Sequence, residues 1–397
     1  MLYSTEVLKM LLDAGADPNK PTLTDPSTTF KTLIATEKAK GAAANQTLIT
    51  AWTSVMANAK PTEVYTLPTV VYGNSCTACV EMLLAKGAKV NLGVTDGNLI
   101  HNFGSSTGKS KELWKQGYSA GKANMEGFGL KFPDWYSADM SADRFGTPEE
   151  MLKLLLAKGL NINEKNSQGY TPLELSMGLG FGGHPEITIA LVNNGADVKA
   201  VHPNNGPMIF QSAQMGSTEA VKAMIEKGAD INTEGRFAGQ ANIQLKGFTL
   251  LTIAASLDNF ELVKYLMSAG ANTEIGIDGR FRSAKTNCVT KVSDKTAIYF
   301  AIENGNVDMV KYMVDADVKW WKRVKIYEVK QKSQGTDIFG DAVTITTCFG
   351  AGEYTPSLYV NAVTKNKKVT ANDNTSLTQA QIDGLVELKK AMQAKGI

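Results

Sequence analysis

The sequence predicts a mainly α-helical solenoid of about seven to eight helix pairs, carrying lengthened β-hairpin fingers and long insertions. Three features lead there. One amphipathic helical pattern, closing on Gly-Ala-Asp or a near variant, recurs along the chain of 397 residues. A shorter element precedes several of its copies, and the copies in the middle of the chain follow one another at a nearly constant step. Length alone would suggest two or three globular domains, but internal similarity overrides that expectation.

The recurring pattern reads EVLKMLLDAGADPN (6–19), CVEMLLAKGAKVN (79–91), EMLKLLLAKGLNIN (150–163), ITIALVNNGADVK (187–199), AVKAMIEKGADIN (220–232), LVKYLMSAGANTE (262–274) and MVKYMVDADVK (309–319). Apolar residues at i, i+3, i+4 and i+7 give each copy one apolar stripe. A glycine just past the helix tolerates the left-handed conformation that stops it. The preceding element reads GYTPLELS (169–176), GPMIFQSA (206–213), GFTLLTIAA (247–255) and KTAIYFAI (295–302). Thr171-Pro172 supplies an N-cap and a proline whose missing N–H costs nothing at the first helical position. Thr147-Pro148-Glu149-Glu150 adds a capping-box glutamate. Neither helix can bury its stripe alone, whereas a stack of pairs can.

These residues resemble the ankyrin repeat, with GYTPLELS followed by Gly183-His184, and Glu303-Asn304-Gly305-Asn306 ahead of the 307–314 helix, as the best copies. DGNLIHNF (96–103) matches loosely, with His101 where the family's histidine falls. The resemblance implies that His101 and His184 hydrogen-bond the turn. Successive helix-ending positions, Gly15, Gly87, Gly159, Gly195, Gly228, Gly270 and Asp315, are 72, 72, 36, 33, 42 and 45 residues apart, against a family period of about 33. A degenerate unit then runs from EYTPSLYVNAV (353–363) to LVELKKAMQAKG (385–396). Three regions are expected: irregular repeats over 1–163 with insertions at 20–75 and 104–146, regular repeats over 164–318, and an extended finger with a capping repeat over 319–397.

In ankyrin-like units the connection between repeats is a β-hairpin finger, and here the extra residues suit longer ones. RFAGQANIQLKG (236–247) and RFRSAKTNCVTKV (280–292) both follow a Gly-Arg-Phe turn. KWWKRVKIYEVKQK (319–332), a polar turn SQGTDIFGD (333–341) and AVTITTCFG (342–350) make the longest; its two arms alternate and are rich in β-branched residues. Three fingers are expected side by side as a small sheet. In the first insertion an amphipathic helix, Ala44 to Ala57 with Trp52, is expected as the first helix of a repeat. The second holds Trp114, Tyr118, Phe128, Phe132, Trp135 and Tyr136, and a loop of that length is uncommon unless it folds locally or binds something. At the start, Met1, Leu2, Val7, Leu8 and Leu11 offer apolar surface to missing upstream sequence, to a folded-back insertion or to another chain.

With 41 basic and 39 acidic residues the net charge is +2, so nothing pulls the whole chain towards nucleic acid or anionic membrane. No signal peptide or spanning helix is read, and the compartment stays open between cytoplasmic and, after removal of an upstream signal, periplasmic or secreted. GSSTGKS (104–110) has three residues between its glycines where a phosphate loop needs four. Gly178 to Gly183 satisfies G-x-G-x-x-G but lacks the preceding strand. Cys76 and Cys79 have redox or zinc spacing, yet two further zinc ligands are missing, so buried small residues are expected. Cys288 and Cys348 both fall on finger strands. Whether either cysteine pair is bonded stays open. Three histidines assemble no catalytic constellation; no cofactor, metal or enzymatic activity is expected.

Lys319-Trp320-Trp321-Lys322-Arg323 stands out, since six basic residues face one acid, Glu328, over fourteen positions (319–332). Such a mixture could bind nucleic acid, but only five of the 41 basic residues are arginine and no second cluster extends the track. Two readings remain: tryptophans that pack the finger onto the repeats, or anchors for a partner protein. Phe237, Phe281, Trp320, Trp321 and Tyr327 are the expected anchors, with Lys322 and Arg323 steering an acidic partner and Trp114 and Trp135 in the insertion. The resemblance thus implies a non-enzymatic scaffold for another protein. The alternatives are head-to-tail self-assembly, and a ligand binder or enzyme built on 104–146.

Overall fold

The computed structural model describes residues 5–24, 26–41, 45–58, 62–72, 76–105, 146–177, 184–202, 206–235, 246–282, 289–316, 320, 322–327, 334–336, 342–344, 352–365 and 377–396. They are mostly helical, and the chain divides into two compact units, Met1–Ala196 and Asp197–Ile397.

In the first unit, α1 (Thr5–Asp13) buries Leu8 and Leu12. Next come β1 (Thr22–Thr24), α2 (Pro26–Lys38), α3 (Gln46–Asn58) and β2 (Thr62–Val64). The two strands pair antiparallel, Leu23 opposite Glu63, so α2 and α3 form a helical hairpin carried on a finger. Glu37 closes the turn between them: Lys40 Nζ lies 2.6 Å from its carboxylate, which also accepts the Asn45 N–H at 2.9 Å. The hydrogen bond from Lys40 holds the Glu37 carboxyl below its usual range. Here the structure corrects the sequence reading. The helix at 44–57 is not the first helix of a repeat, because it packs on α2; that role falls to α4 (Thr66–Tyr72), which buries Leu67, Pro68, Val70 and Val71. Its start, Thr66-Leu67-Pro68, permutes the usual Thr-Pro-Leu order.

α4 pairs with α5 (Thr77–Ala85), while α6 (Leu99–Gly104) and α7 (Pro148–Leu156) flank the second insertion, of which 106–145 lies outside the described residues. The unit ends with α8 (Pro172–Ser176) and α9 (Pro185–Asn193). Thr147 and Thr171 each form the full reciprocal capping box with Glu150 and Glu174, which satisfies two otherwise orphaned donors per helix. His101 does what the resemblance implies: its Nδ1 accepts the Asn98 N–H at 3.0 Å, and its Nε2 lies 3.2 Å from the Tyr170 carbonyl of the next repeat. His184 occupies an N-cap position without a side-chain cap bond.

The Gly-Ala-Asp-x-Asn signature has a physical role at each polar position. The aspartate closes an Asx turn, as Asp17 accepts the Asn19 N–H at 2.8 Å and Asp230 the Asn232 N–H at 2.9 Å. The asparagine then reaches the following repeat: Asn19 donates to Gly87 O at 3.0 Å, and Asn163 to Gly195 O at 3.1 Å.

The second unit holds a short ladder, β3 (Val201–His202) with β4 (Gly206–Pro207), then the pairs α10 (Met208–Gln214) with α11 (Thr218–Glu226) and α12 (Leu250–Ser256) with α13 (Phe260–Ser268). Strands β5 (Ile277–Arg282) and β6 (Val289–Lys295) lead into α14 (Ala297–Asn304) and α15 (Val307–Asp315). After β7 (Val324–Tyr327), β8 (Gln334–Thr336), β9 (Ala342–Thr344) and β10 (Gly352–Tyr354), the unit closes with α16 (Pro356–Lys365) and α17 (Gln379–Ala394). The core lies along the first helices of the pairs. α12 is buried from Leu250 to Ser256 and α14 from Ala297 to Asn304, and Phe210 meets Phe248 edge to face at 5.4 Å.

Fingers from consecutive repeats join in one antiparallel sheet in the order β10-β7-β6-β5. The segment 236–247 contributes only its base among the described residues, where Lys246 and Asp278 exchange backbone bonds of 3.1 and 3.0 Å. Gly247 makes that approach feasible. Its φ is +73°, and a Cβ there would lie 2.0 Å from the Gly276 carbonyl oxygen. Gly247→Ala is therefore expected to cost about 1–2 kcal/mol for the left-handed backbone and more for the clash, read as a lower urea midpoint and faster amide exchange at Asp278.

Candidate partner-binding face

The finger sheet is fixed at its base by side chains of the repeats beneath it. Tyr299, fully buried on α14, shares its hydroxyl proton between the carbonyls of Lys322 (2.7 Å) and Tyr354 (2.8 Å), and accepts the Val324 N–H at 3.2 Å. One side chain thus ties the first residue of β7 to the last of β10. Burial pushes the Tyr299 phenol well up, so it stays a donor.

Beside it, Lys295 at the end of β6 places Nζ 2.6 and 2.7 Å from the two carboxylate oxygens of Glu303. The two side chains are 1% and 3% exposed. The Tyr359 hydroxyl donates to the same carboxylate, and Lys295 Nζ stands 4.2 Å from the Phe300 ring centroid. Burial pulls the Lys295 pKa down, with Glu303 opposing. Burial, reinforced by Glu303, pushes the Tyr359 pKa up. A desolvated ion pair of this kind persists because every oxygen and proton in it finds a partner.

Trp320 completes the base. It is 3% exposed, and its indole N–H donates to the Met313 carbonyl at 2.7 Å, one of the last carbonyls of α15 that no helical N–H can reach. This corrects the assignment of Trp320 as a partner anchor: its ring is packed into the repeat and its one polar group is already bonded.

Above this base the sheet alternates. Val292, Val324 and Ile326 are buried towards the helices, while Lys291 and Lys325 are exposed and Tyr327 half-buried. Tyr327 is directly opposite Lys291. The Lys291 and Lys325 ammonium groups stand 5.0 and 5.5 Å from the Tyr327 ring centroid, a cation–π arrangement. Lys325 also reaches Glu353 at 3.5 Å, and Lys322 reaches Asp294 at 3.4 Å. Arg323 is exposed.

Of the expected anchors, Tyr327, Lys322 and Arg323 thus fall together on β7 and its approach. Phe281 lies on β5 opposite Thr290. Phe237, Trp321, Trp114 and Trp135 lie outside the described residues, as do Cys288, Cys348 and the glycine run 178–183. Sequence reasoning counted Lys325 only as part of the basic run 319–332 and passed over Lys291, although their alternation with Val292, Val324 and Ile326 carried the signal. Cys76 and Cys79 are both buried and joined in a disulfide, and Cys76 Sγ accepts the Cys79 N–H at 3.1 Å. Among the described residues no acid, histidine and cysteine cluster could hold a metal ion, and no helix is long and apolar enough to cross a membrane.

Comparison with known proteins gives the same repeat. A family model described as ankyrin repeats (3 copies) matches residues 139–235, 175–277 and 209–323. The chain is 27% identical over 191 residues to ankyrin repeat and KH domain-containing protein mask-1 of Caenorhabditis elegans, covering 48% of this chain and 6% of that protein. It is 31% identical over 134 residues to alpha-latrocrustotoxin-Lt1a of Latrodectus tredecimguttatus, covering 32% of this chain and 8% of the toxin. Glycerophosphocholine phosphodiesterase GDE1 of Candida albicans is 27% identical over 149 residues, 37% of this chain and 11% of that protein. The matched stretch is thus a small part of each of these relatives.

Proposed function

Because this chain is an ankyrin-repeat protein, we propose that it is a non-enzymatic scaffold holding another protein against its fingers and the concave side of its repeats. Ankyrin repeats generally mediate protein–protein interaction. The observation that carries the reading here is the pinned base of the finger sheet. Tyr299 bonds the backbone of both β7 and β10, so the exposed rows are ordered before a partner arrives and association loses little conformational entropy.

Phe237, Phe281, Trp321 and Tyr327 are the proposed anchors, Lys322 and Arg323 steer an acidic partner, and Trp114 and Trp135 extend the surface. A crosslinking pull-down from the native source, with crosslinks mapped by mass spectrometry, tests this. Crosslinks on 277–295 and 324–354 are expected, and Tyr327→Ala should weaken the captured complex by roughly 2 kcal/mol. A partner crosslinked only to the solvent side of α11, α13 and α15 would sink the proposal.

Self-association is the second reading, favoured by α1, where Val7, Met10 and Leu11 lie exposed next to the buried Leu8 and Leu12 and Met10 reaches 71% exposure. Light scattering separates the two: a mass that grows with concentration supports self-association, and a constant monomer mass removes it.

A further inference from the structure

Along the finger sheet the balance of charge changes within two residues. Close to the helices two lysines have a carboxylate beside them: Lys325 has Glu353 and Lys322 has Asp294. Asp278 is engaged there too, accepting the Ser293 hydroxyl at 2.6 Å and the Asp294 N–H at 3.0 Å. Two residues further out, Tyr327, Lys291 and Arg280 are directly opposite one another on β7, β6 and β5. The register thus sets two cationic residues, Lys291 and Arg280, at directly opposing positions of neighbouring strands. Among the described residues, Lys291 has no carboxylate within ion-pair distance; its neighbour is the Tyr327 ring.

Arginine usage points the same way. The chain has only five arginines, and four of them, Arg236, Arg280, Arg282 and Arg323, fall in finger segments. Arginine's planar fork suits paired hydrogen bonds to carboxylates, which lysine cannot offer. A row that sets two cationic residues beside Tyr327, in fingers that hold four of the five arginines, is complementary to negative charge.

We infer that the row Tyr327–Lys291–Arg280, flanked by Lys325, docks an acidic segment of the partner protein, a run of aspartate and glutamate side chains laid across the strands. The inference rests on the scaffold reading and names the chemistry of its partner. A nucleic acid fits less well: the row is short, Glu353, Asp294 and Asp278 border it, and the net charge of +2 offers no longer track.

Fluorescence anisotropy of the full chain with a fluorescein-labelled oligo-glutamate peptide, against a labelled oligothymidylate, tests the inference. The peptide should bind, and more weakly as salt is raised. Lys291→Glu combined with Lys325→Glu should weaken it about tenfold or more, Lys291→Ala should weaken it less, and Lys264→Glu on α13 should leave it unchanged. The two reversed lysines are exposed, so an unaltered melting temperature confirms that folding is not the cause. Equal peptide affinity in the double variant, or tighter binding of the oligothymidylate, overturns the inference. If the peptide fails while a native partner still crosslinks to the fingers, the acidic chemistry falls and the scaffold reading stands; if no partner is captured, both fall.

Discussion

Glu303→Ala should destabilise the second unit by about 3–5 kcal/mol, because it leaves the Lys295 ammonium buried without its counter-charge. The removed carboxylate also accepts the Tyr359 hydroxyl, so one substitution takes an acceptor from groups on β6 and α16 together. Urea denaturation followed by circular dichroism reads the loss directly. The triple variant Lys295→Met, Glu303→Leu, Tyr359→Phe removes every polar member at once. Its stability should stay near that of the parent or exceed it, since replacing a whole buried pair with packed apolar groups is often neutral or favourable. A triple variant as unstable as Glu303→Ala would show that the charges contribute net stability instead of merely requiring one another.

Trp320→Ala should cost a similar amount, roughly 3–5 kcal/mol for emptying a buried aromatic site. Trp320→Phe should cost less, since it keeps most of the apolar volume and loses mainly the bond to the Met313 carbonyl. The contrast with Tyr327→Ala is the informative part: Tyr327 is half-buried on the outer row, so its truncation should weaken partner capture and leave the urea midpoint nearly unchanged. A Trp320→Ala protein of parental stability that has lost its partner would return Trp320 to the binding surface.

How much of this was legible in the sequence depends on the range of the interaction. A helix with a clean apolar stripe, a Thr-Pro start and a glycine stop, such as Pro148–Leu156 with Gly159 behind it, is specified within a few residues, and its pattern announces it. Thr66–Tyr72 obeys the same physics with leucine and proline exchanged, so a search by residue order passes over it. The Lys295–Glu303–Tyr359 network could not be read at all. Lysine and glutamate are almost always solvated, and the tyrosine arrives 56 residues after Glu303. Trp320 stands in a run of aromatic and basic residues, and no local rule says that it turns inward. The backbone that follows it is held by Tyr299, distant in sequence, whose hydroxyl bonds at Lys322 and Val324.

The ladder of β1 with β2 has a consequence for how such a chain can change. The α2–α3 hairpin leaves the stack at Thr24 and returns at Thr62, two positions paired across neighbouring strands. Entrance and exit share one doorway, so whatever is strung between them can be shortened, exchanged or deleted without shifting the register of the helices on either side. The architecture therefore offers a grafting point, where a new appendage can be tried while the framework is left alone.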